Sequence, residues 1–206
     1  MLAAAGVLVL TGCLLGSGTE QRQPTADPSD PVQDAVTQRW YAPADLTEDP
    51  AVITAKLPQL QVTGGISLDG SITDPDSRIP IPAPDDYWWQ AVIVVREEQV
   101  TELIDRASAA AASDGGGEGV VLTGEDTSTM NQPAGTRADD SVIRGVLMDP
   151  LQSQAGQCPT DWILLGNTFT TDETYTSMPV AADGLVITMA AVCEGGDRIV
   201  VDTLEF

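Results

Sequence analysis

Apolar positions follow two different periods in the middle of the chain. The run 87–95 is rich in β-branched and aromatic residues and is too apolar for a strand with one face in solvent. In the segment that follows, Val100, Leu103 and Ala107 recur at three and four residues, which is the spacing of one helix face. The pattern predicts a central strand over 87–95, followed by one amphipathic helix over 97–112 that packs on it.

Further β-rich segments predict that this strand belongs to an antiparallel sheet. They cover residues 60–63, 66–72, 120–122, 161–171, 185–193 and 198–204. Gly64-Gly65 predicts a hairpin turn between the first two segments, and residues 194–197 predict another between the last two. Apolar and polar residues alternate in 198–204, which is typical of a half-buried edge strand. The predicted fold class is α+β, with a mostly antiparallel sheet.

Aspartate-proline pairs predict two helix starts. Asp30-Pro31 and Asp49-Pro50 each place a capping carboxylate before a proline at the first helical position. The second of these helices is expected to stop at Pro58. Residues 141–148 fit either a helix capped by Ser141 or a strand, and the helix is favoured.

The first residues form a separate apolar segment. Residues 2–10 contain Leu, Ala, Gly and Val alone, about half of the ~20 residues that a membrane-spanning helix needs. That length suits the apolar core of an export signal. The small residues Thr11 and Gly12 follow, then Cys13, and residues 16–19 have the composition of a flexible leash. The alternative is that residues 2–10 form a core strand and Cys13 is an ordinary buried thiol.

The sequence Leu10-Thr11-Gly12-Cys13 resembles the lipobox of bacterial lipoproteins, Leu-[Ala/Ser/Thr]-Gly-Cys, at all four positions. The resemblance covers residues 1–13 and implies cleavage after Gly12 and lipidation of Cys13 on its sulfur. Two acyl chains make a stable anchor, whereas one binds marginally. The implied location is the extracytoplasmic face of the cell membrane. Beyond Cys13 the chain resembles the small acidic lipoproteins of bacterial envelopes, from which no functional residue carries over.

Composition divides the chain into three expected parts. Residues 1–12 are the expected signal peptide. Residues 13–29 are mostly polar and cannot bury enough surface to offset the entropy of ordering, so they are expected to form a lipidated, disordered tether. Residues 30–206 have the size of a single α+β domain.

Charge excludes one class of partner. The chain has 31 acidic and 9 basic residues and a formal charge of −22, so it should repel nucleic acid and anionic lipid.

The carboxylates of Asp69, Asp74, Asp76 and the pair Asp172-Glu173 do not follow the one-three-five spacing of a calcium loop. Neither a metal site nor a cofactor is predicted.

Cysteine usage predicts one crosslink. Besides Cys13 the chain holds Cys158 and Cys193, and an exported protein reaches a compartment that permits disulfides. With Cys13 lipidated, a disulfide between Cys158 and Cys193 is the one pairing available. Zinc is not expected, since two thiols supply too few ligands and the chain contains no histidine.

The absence of histidine also excludes Ser/His/Asp and Cys/His catalysis, which need an imidazole that takes a proton near neutral pH. Catalysis by paired carboxylates remains open. Asp85 and Asp86 stand beside Trp88 and Trp89, and aromatic faces next to carboxylates can hold sugars. These four residues are the candidate ligand surface. Because neighbours on a strand point to opposite faces, one Trp is expected in the core and the other at the rim.

Two functions therefore remain. The first is a membrane-anchored, non-catalytic lipoprotein that binds or supports an envelope protein or a glycan. The alternative is a surface hydrolase that uses carboxylates, with glycans as its expected substrates. A deep cleft with converging carboxylates would favour the hydrolase, and a flat apolar patch would favour the binding module.

Overall fold

The computed structural model describes residues 27–75, 87–113, 121–122, 132–169 and 179–205. The strands in these residues are β1 (Val32–Gln33), β2 (Trp40–Tyr41), β3 (Val62–Ser71), β4 (Tyr87–Val95), β5 (Val121–Leu122), β6 (Arg137–Ala138), β7 (Trp162–Leu164), β8 (Val186–Cys193) and β9 (Arg198–Leu204). They form one sheet in the order β1-β2-β3-β4-β9-β8-β7-β6-β5. Neighbouring strands are antiparallel except β5 and β6, which are parallel.

Helices cover both faces of this sheet. They are α1 (Pro50–Lys56), α2 (Glu97–Ser113), α3 (Asp140–Val146) and α4 (Asp149–Ala155). Ile53 of α1 and Leu103 of α2 join the hydrophobic cluster on one side, here called the first face. Ile143 of α3 and Leu151 of α4 join the cluster on the other side, the second face. The fold is α+β with a mostly antiparallel sheet, as predicted.

The prediction of one helix packed on the sheet is wrong, because besides the 3-10 helices Pro43–Asp45 and Gly166–Thr168 the described residues contain four α-helices. Three of them have seven residues each, too few for the apolar period to identify them. Local caps support two of them. Asp49 accepts from the Ala51 N–H before α1, as predicted. Asp139, and not Ser141, caps α3 by accepting from the N–H groups of Ser141 and Val142. The favoured helix is thus present over residues 141–146, whereas Leu147 and Met148 are extended.

The central strand and the long helix lie where they were predicted. β4 has β3 on one side and β9 on the other, and its residues from Trp88 to Ile93 are buried. Alternate side chains enter the two clusters, which explains why both faces of the strand are apolar. α2 packs Val100, Leu103 and Ala107 against the first face.

The predicted turn at Gly64-Gly65 is wrong. β3 runs straight through both glycines, with a register irregularity between Val62 and Gly64. Gly65 has φ +148°, and a Cβ there would lie 2.7 Å from the Val92 carbonyl oxygen. Gly65 therefore serves a close approach between two strands, and the pair does not reverse the chain.

The helix predicted after Asp30-Pro31 is also wrong, since this segment is the hairpin β1–β2. The Asp34 carboxylate accepts from the Val36 and Thr37 N–H groups at 3.0 and 2.8 Å. This side-chain turn competes with helical hydrogen bonding. Gln38, with φ +60°, then completes the reversal. The short polar side chain decided the conformation, not the spacing of apolar residues.

The chain ends in the predicted hairpin of β8 and β9, but β9 is not an edge strand. It lies between β4 and β8, and residues 199–203 are buried. The alternation of apolar and polar residues predicted one solvent-exposed face. Asp202, a polar residue on that face, is instead buried, with 3% of its surface exposed.

The predicted disulfide between Cys158 and Cys193 is confirmed. Their Cα atoms lie 5.5 Å apart. The bond ties the segment before β7 to the end of β8. No helix in the described part of the chain is long and apolar enough to cross a membrane.

Candidate functional site

Trp88 and Trp89 lie at the start of β4 and enter opposite faces of the sheet. Trp88 is 1% exposed and belongs to the second face, whereas Trp89 is 2% exposed and belongs to the first. The prediction that one of them lies at a rim is therefore wrong. Each indole is covered by a cation from another segment, Arg39 over Trp88 and Lys56 over Trp89. Asp85 and Asp86 lie outside the described residues.

On the second face, Arg39 joins a buried polar network. Its guanidinium lies 5.7 Å from the centroid of the Trp88 ring. Both terminal nitrogens of Arg39 donate to the Asp202 carboxylate. The side chains of this ion pair are 16% and 4% exposed. The pair therefore exists largely without solvent screening.

Further donors complete the bonding of Asp202. Gln90, opposite Asp202 in the neighbouring strand, donates from Nε2 to Oδ1 at 2.8 Å, and the Thr188 hydroxyl donates to Oδ2. Gln90 also accepts from the Met148 N–H at 2.9 Å. On this side of the sheet the buried polar groups therefore form hydrogen bonds with one another.

Asp34 anchors the β1–β2 hairpin to the same network. Its carboxylate accepts from the Asp149 N–H at 3.0 Å, in addition to the bonds from residues 36 and 37. Desolvation alone would raise the pKa of this carboxyl. The hydrogen bonds from the Asp149 and Thr37 N–H groups, the Thr37 hydroxyl and the Val36 N–H outweigh desolvation and lower the pKa. Asp34 is thus a structural anion.

On the first face, Trp89 lies beneath a different set of groups. The Lys56 ammonium lies 5.4 Å from the centroid of the Trp89 ring and forms an ion pair with Asp183. Asp69 is the register partner of Trp89 in the neighbouring strand. Asp69 in turn interacts electrostatically with both Lys56 and Asp45. These five residues are called the Lys56 cluster below.

Asp69 is the carboxylate of this cluster with the most unusual environment. Partial burial raises its pKa above the ordinary value, and the negative charge of Asp45 raises it further. The positive charge of Lys56 and a hydrogen bond from the Asp69 backbone act in the opposite direction. The folded state therefore disfavours the ionised form of Asp69 relative to the unfolded chain.

Four buried side-chain polar atoms in the described residues lack a hydrogen-bond partner. They are Trp89 Nε1 and Ser67 Oγ, in side chains that are 2% and 1% exposed, and both amide atoms of Gln59. Ser67 precedes Asp69 by two residues on β3 and lies opposite Ala91, so it shares a face with Trp89 and Asp69. The first face thus holds unsatisfied donors at its core and carboxylates at its margin.

Among the sequence-predicted residues, Trp89 is the one that the structure places in this cluster. Lys56, the single lysine of the chain, was not predicted to take part. Its position in the last turn of α1 gave no signal, because the pair with Asp183 spans 127 residues. Within the described residues, no group of three or more His, Cys, Asp or Glu is placed to hold a metal ion.

Comparison with known proteins adds no family. A scan against protein-family models, a search of curated proteins and a search of solved structures each found no match.

The charge on Asp69 gives a pH-dependent prediction. Asp69→Asn is expected to raise the free energy of unfolding at pH 7, because the folded state disfavours the ionised carboxylate. The effect should stay below about 1 kcal/mol, since the side chain is exposed to solvent on one side and its interactions are screened. Chemical denaturation of both proteins measures it.

The direction of the pH dependence follows from the raised pKa. The favourable contribution of protonated Asp69 is fully present below the unfolded pKa of about 3.9 and is lost as the pH rises through the folded pKa. The two proteins should therefore converge near pH 3 and diverge above pH 4. Asp105→Asn, on the exposed side of α2, is the matched control. A wild type that gains stability over the variant between pH 4 and 7 would contradict the prediction.

Proposed function

We propose that the protein is a lipoprotein anchored by Cys13 to the extracytoplasmic face of the cell membrane, where it acts as a non-catalytic binding or support module of the envelope. The observation that carries the proposal is the sequence Leu10-Thr11-Gly12-Cys13 after an apolar run. A thioether-linked diacylglycerol on Cys13 supplies the two acyl chains that stable anchoring requires.

Features of the folded part support this proposal. The Cys158–Cys193 disulfide suits an oxidising compartment outside the cytoplasm. A charge of −22 keeps a tethered protein soluble and away from anionic lipid surfaces.

The second face supports a role other than catalysis. Asp202 and Asp34 are its most enclosed carboxylates, and each is occupied by internal donors. A catalytic carboxylate needs room for a substrate atom or a water at hydrogen-bond distance. Groups bonded in this way stabilise a scaffold.

The anchor is tested by replacing Cys13. Cys13→Ala is expected to move the protein from the membrane pellet to the soluble fraction, because the acylated sulfur is lost. Ser17→Ala, four residues along the same segment, is the matched control and should remain in the pellet. Intact mass of the wild type should show cleavage after Gly12 and the added lipid. Retention of the Cys13→Ala protein in the pellet, or an uncleaved and lipid-free wild type, would refute the proposal.

The alternative, a carboxylate-dependent surface hydrolase, has one observation in its favour. Asp69 and Asp45 interact, and the pKa of Asp69 is raised by burial, as in enzymes that divide acid and base roles between two carboxyls. Release of new reducing ends from oligosaccharides would identify such an activity.

A further inference from the structure

The two faces of the sheet differ in how their buried polar groups are satisfied. On the second face, Gln90, Thr188 and Asp202 bond to one another. On the first face, Trp89 Nε1 and Ser67 Oγ have no partner. A buried N–H or hydroxyl without a partner costs about 1–3 kcal/mol, so each such group needs an explanation. A ligand that supplies the missing acceptor is one explanation that can be tested.

The side chain that covers Trp89 can be displaced at low cost. Lys56 extends over the indole and pairs with Asp183, and the two side chains are 23% and 35% exposed. Ion pairs with this access to water contribute about 0–1 kcal/mol. Turning the lysine stem outward would break the ion pair and the contact with the indole, and neither of these contacts belongs to the sheet. The cover is therefore the weakest contact in the Lys56 cluster.

The polar groups near Lys56 favour a neutral ligand that carries several hydroxyl groups. Trp89 Nε1 is a donor, whereas Ser67 Oγ and the Asp69 carboxyl can take either role according to rotation or protonation. Hydroxyl groups match such a set because each one donates and accepts. The flat indole complements the apolar face of a sugar ring. Asp45, Asp69 and Asp183 would repel a phosphate or a carboxylate ligand.

We propose that Trp89, Ser67 and Asp69 form a subsite for one neutral sugar ring of a glycan, and that Lys56 takes the place of this ring in the free protein. The proposal rests on the binding role given above and names its ligand class. The apolar face of the sugar lies on the Trp89 ring, a hydroxyl that extends past the edge of the indole accepts from its in-plane N–H, and another hydroxyl donates to Asp69. Lys56 then turns outward with Asp183 to the margin of the site.

The test uses the full-length protein in a detergent that contains no sugar. Chitobiose, cellobiose and maltose are the probes, titrated into the millimolar range. Saturation-transfer NMR detects contact with the sugar, and tryptophan fluorescence reports the environment of the indoles. At least one probe is expected to bind, and Lys56→Ala should bind it several-fold more tightly because the competing ammonium is gone. Asp69→Asn should weaken binding up to about tenfold, because the amide oxygen is a weaker acceptor than a carboxylate oxygen and the amide nitrogen does not accept.

Control variants separate recognition from stability. Asp105→Asn should bind like the wild type, and Trp89→Phe, which keeps a ring but lacks the N–H, should bind more weakly while unfolding cooperatively. The proposal is overturned if no probe binds to wild type or to Lys56→Ala, or if Lys56→Ala and Asp69→Asn leave the affinity unchanged. Membrane fractionation of Cys13→Ala is independent of these titrations, so the failure of this subsite and the failure of the anchor are distinguishable.

Discussion

Replacing Arg39 with alanine is expected to lower the free energy of unfolding by about 3–5 kcal/mol. The change leaves the Asp202 carboxylate, 4% exposed, without the cation that offsets its desolvation. It also removes the guanidinium above Trp88. Urea denaturation followed by tryptophan fluorescence measures the loss.

Two further variants identify the cause. Arg39→Met combined with Asp202→Asn should recover part of the loss, because no unpaired buried charge remains. Arg106→Ala breaks an exposed pair with Glu102 and should cost at most about 0.5 kcal/mol. Equal effects of Arg39→Ala and Arg106→Ala would show that the Arg39 pair contributes no more than a surface contact.

Removal of the disulfide is expected to cost about 4 kcal/mol. Cys158 and Cys193 are separated by 35 positions, and the loop-entropy relation assigns a crosslink of this span a stabilisation of that size. Replacing both residues with serine avoids a free thiol. The melting temperature and the denaturation midpoint should both fall.

A reduced wild type is the matched comparison for the double-serine variant. In a strong reductant the wild type should lose about as much stability as the variant, and the variant itself should not respond. If reductant leaves the denaturation midpoint of the wild type unchanged, the disulfide is not the source of this stability.

Elements with a regular apolar period were predictable from the sequence. β4 and α2 have long runs in which most positions agree with the observed burial, although Tyr87 at the start of β4 is exposed. The Asp49-Pro50 pair identified α1, because the cap and the proline act within one turn. The same dipeptide recurs at Asp149-Pro150, where it opens α4, so this helix had a signal that could have been used.

Elements decided by single contacts were not predictable. The side chain of Asp34 folds residues 32–41 into a hairpin although the apolar spacing fits a helix. Gly65 allows β3 to approach Val92 closely, and nothing in the dipeptide Gly64-Gly65 distinguishes this from a turn. In both cases local side-chain or backbone geometry overrides the period.

The candidate site was predictable in part. Tryptophans beside carboxylates pointed to Trp89, but the carboxylates that meet it come from other segments. The ion pair of Arg39 with Asp202 spans 163 residues and that of Lys56 with Asp183 spans 127. Pairs so distant in the chain depend on the tertiary fold and leave no local pattern.

The shape of the sheet has a consequence for crowded surroundings. In the described residues its two outermost strands, β1 and β5, have two residues each, whereas the inner strands β3 and β4 have ten and nine. A long outer strand would expose a row of free N–H and C=O groups that a neighbouring molecule could extend. The two-residue strand β1 presents few such groups, so its edge gives a neighbouring copy of the chain little to extend.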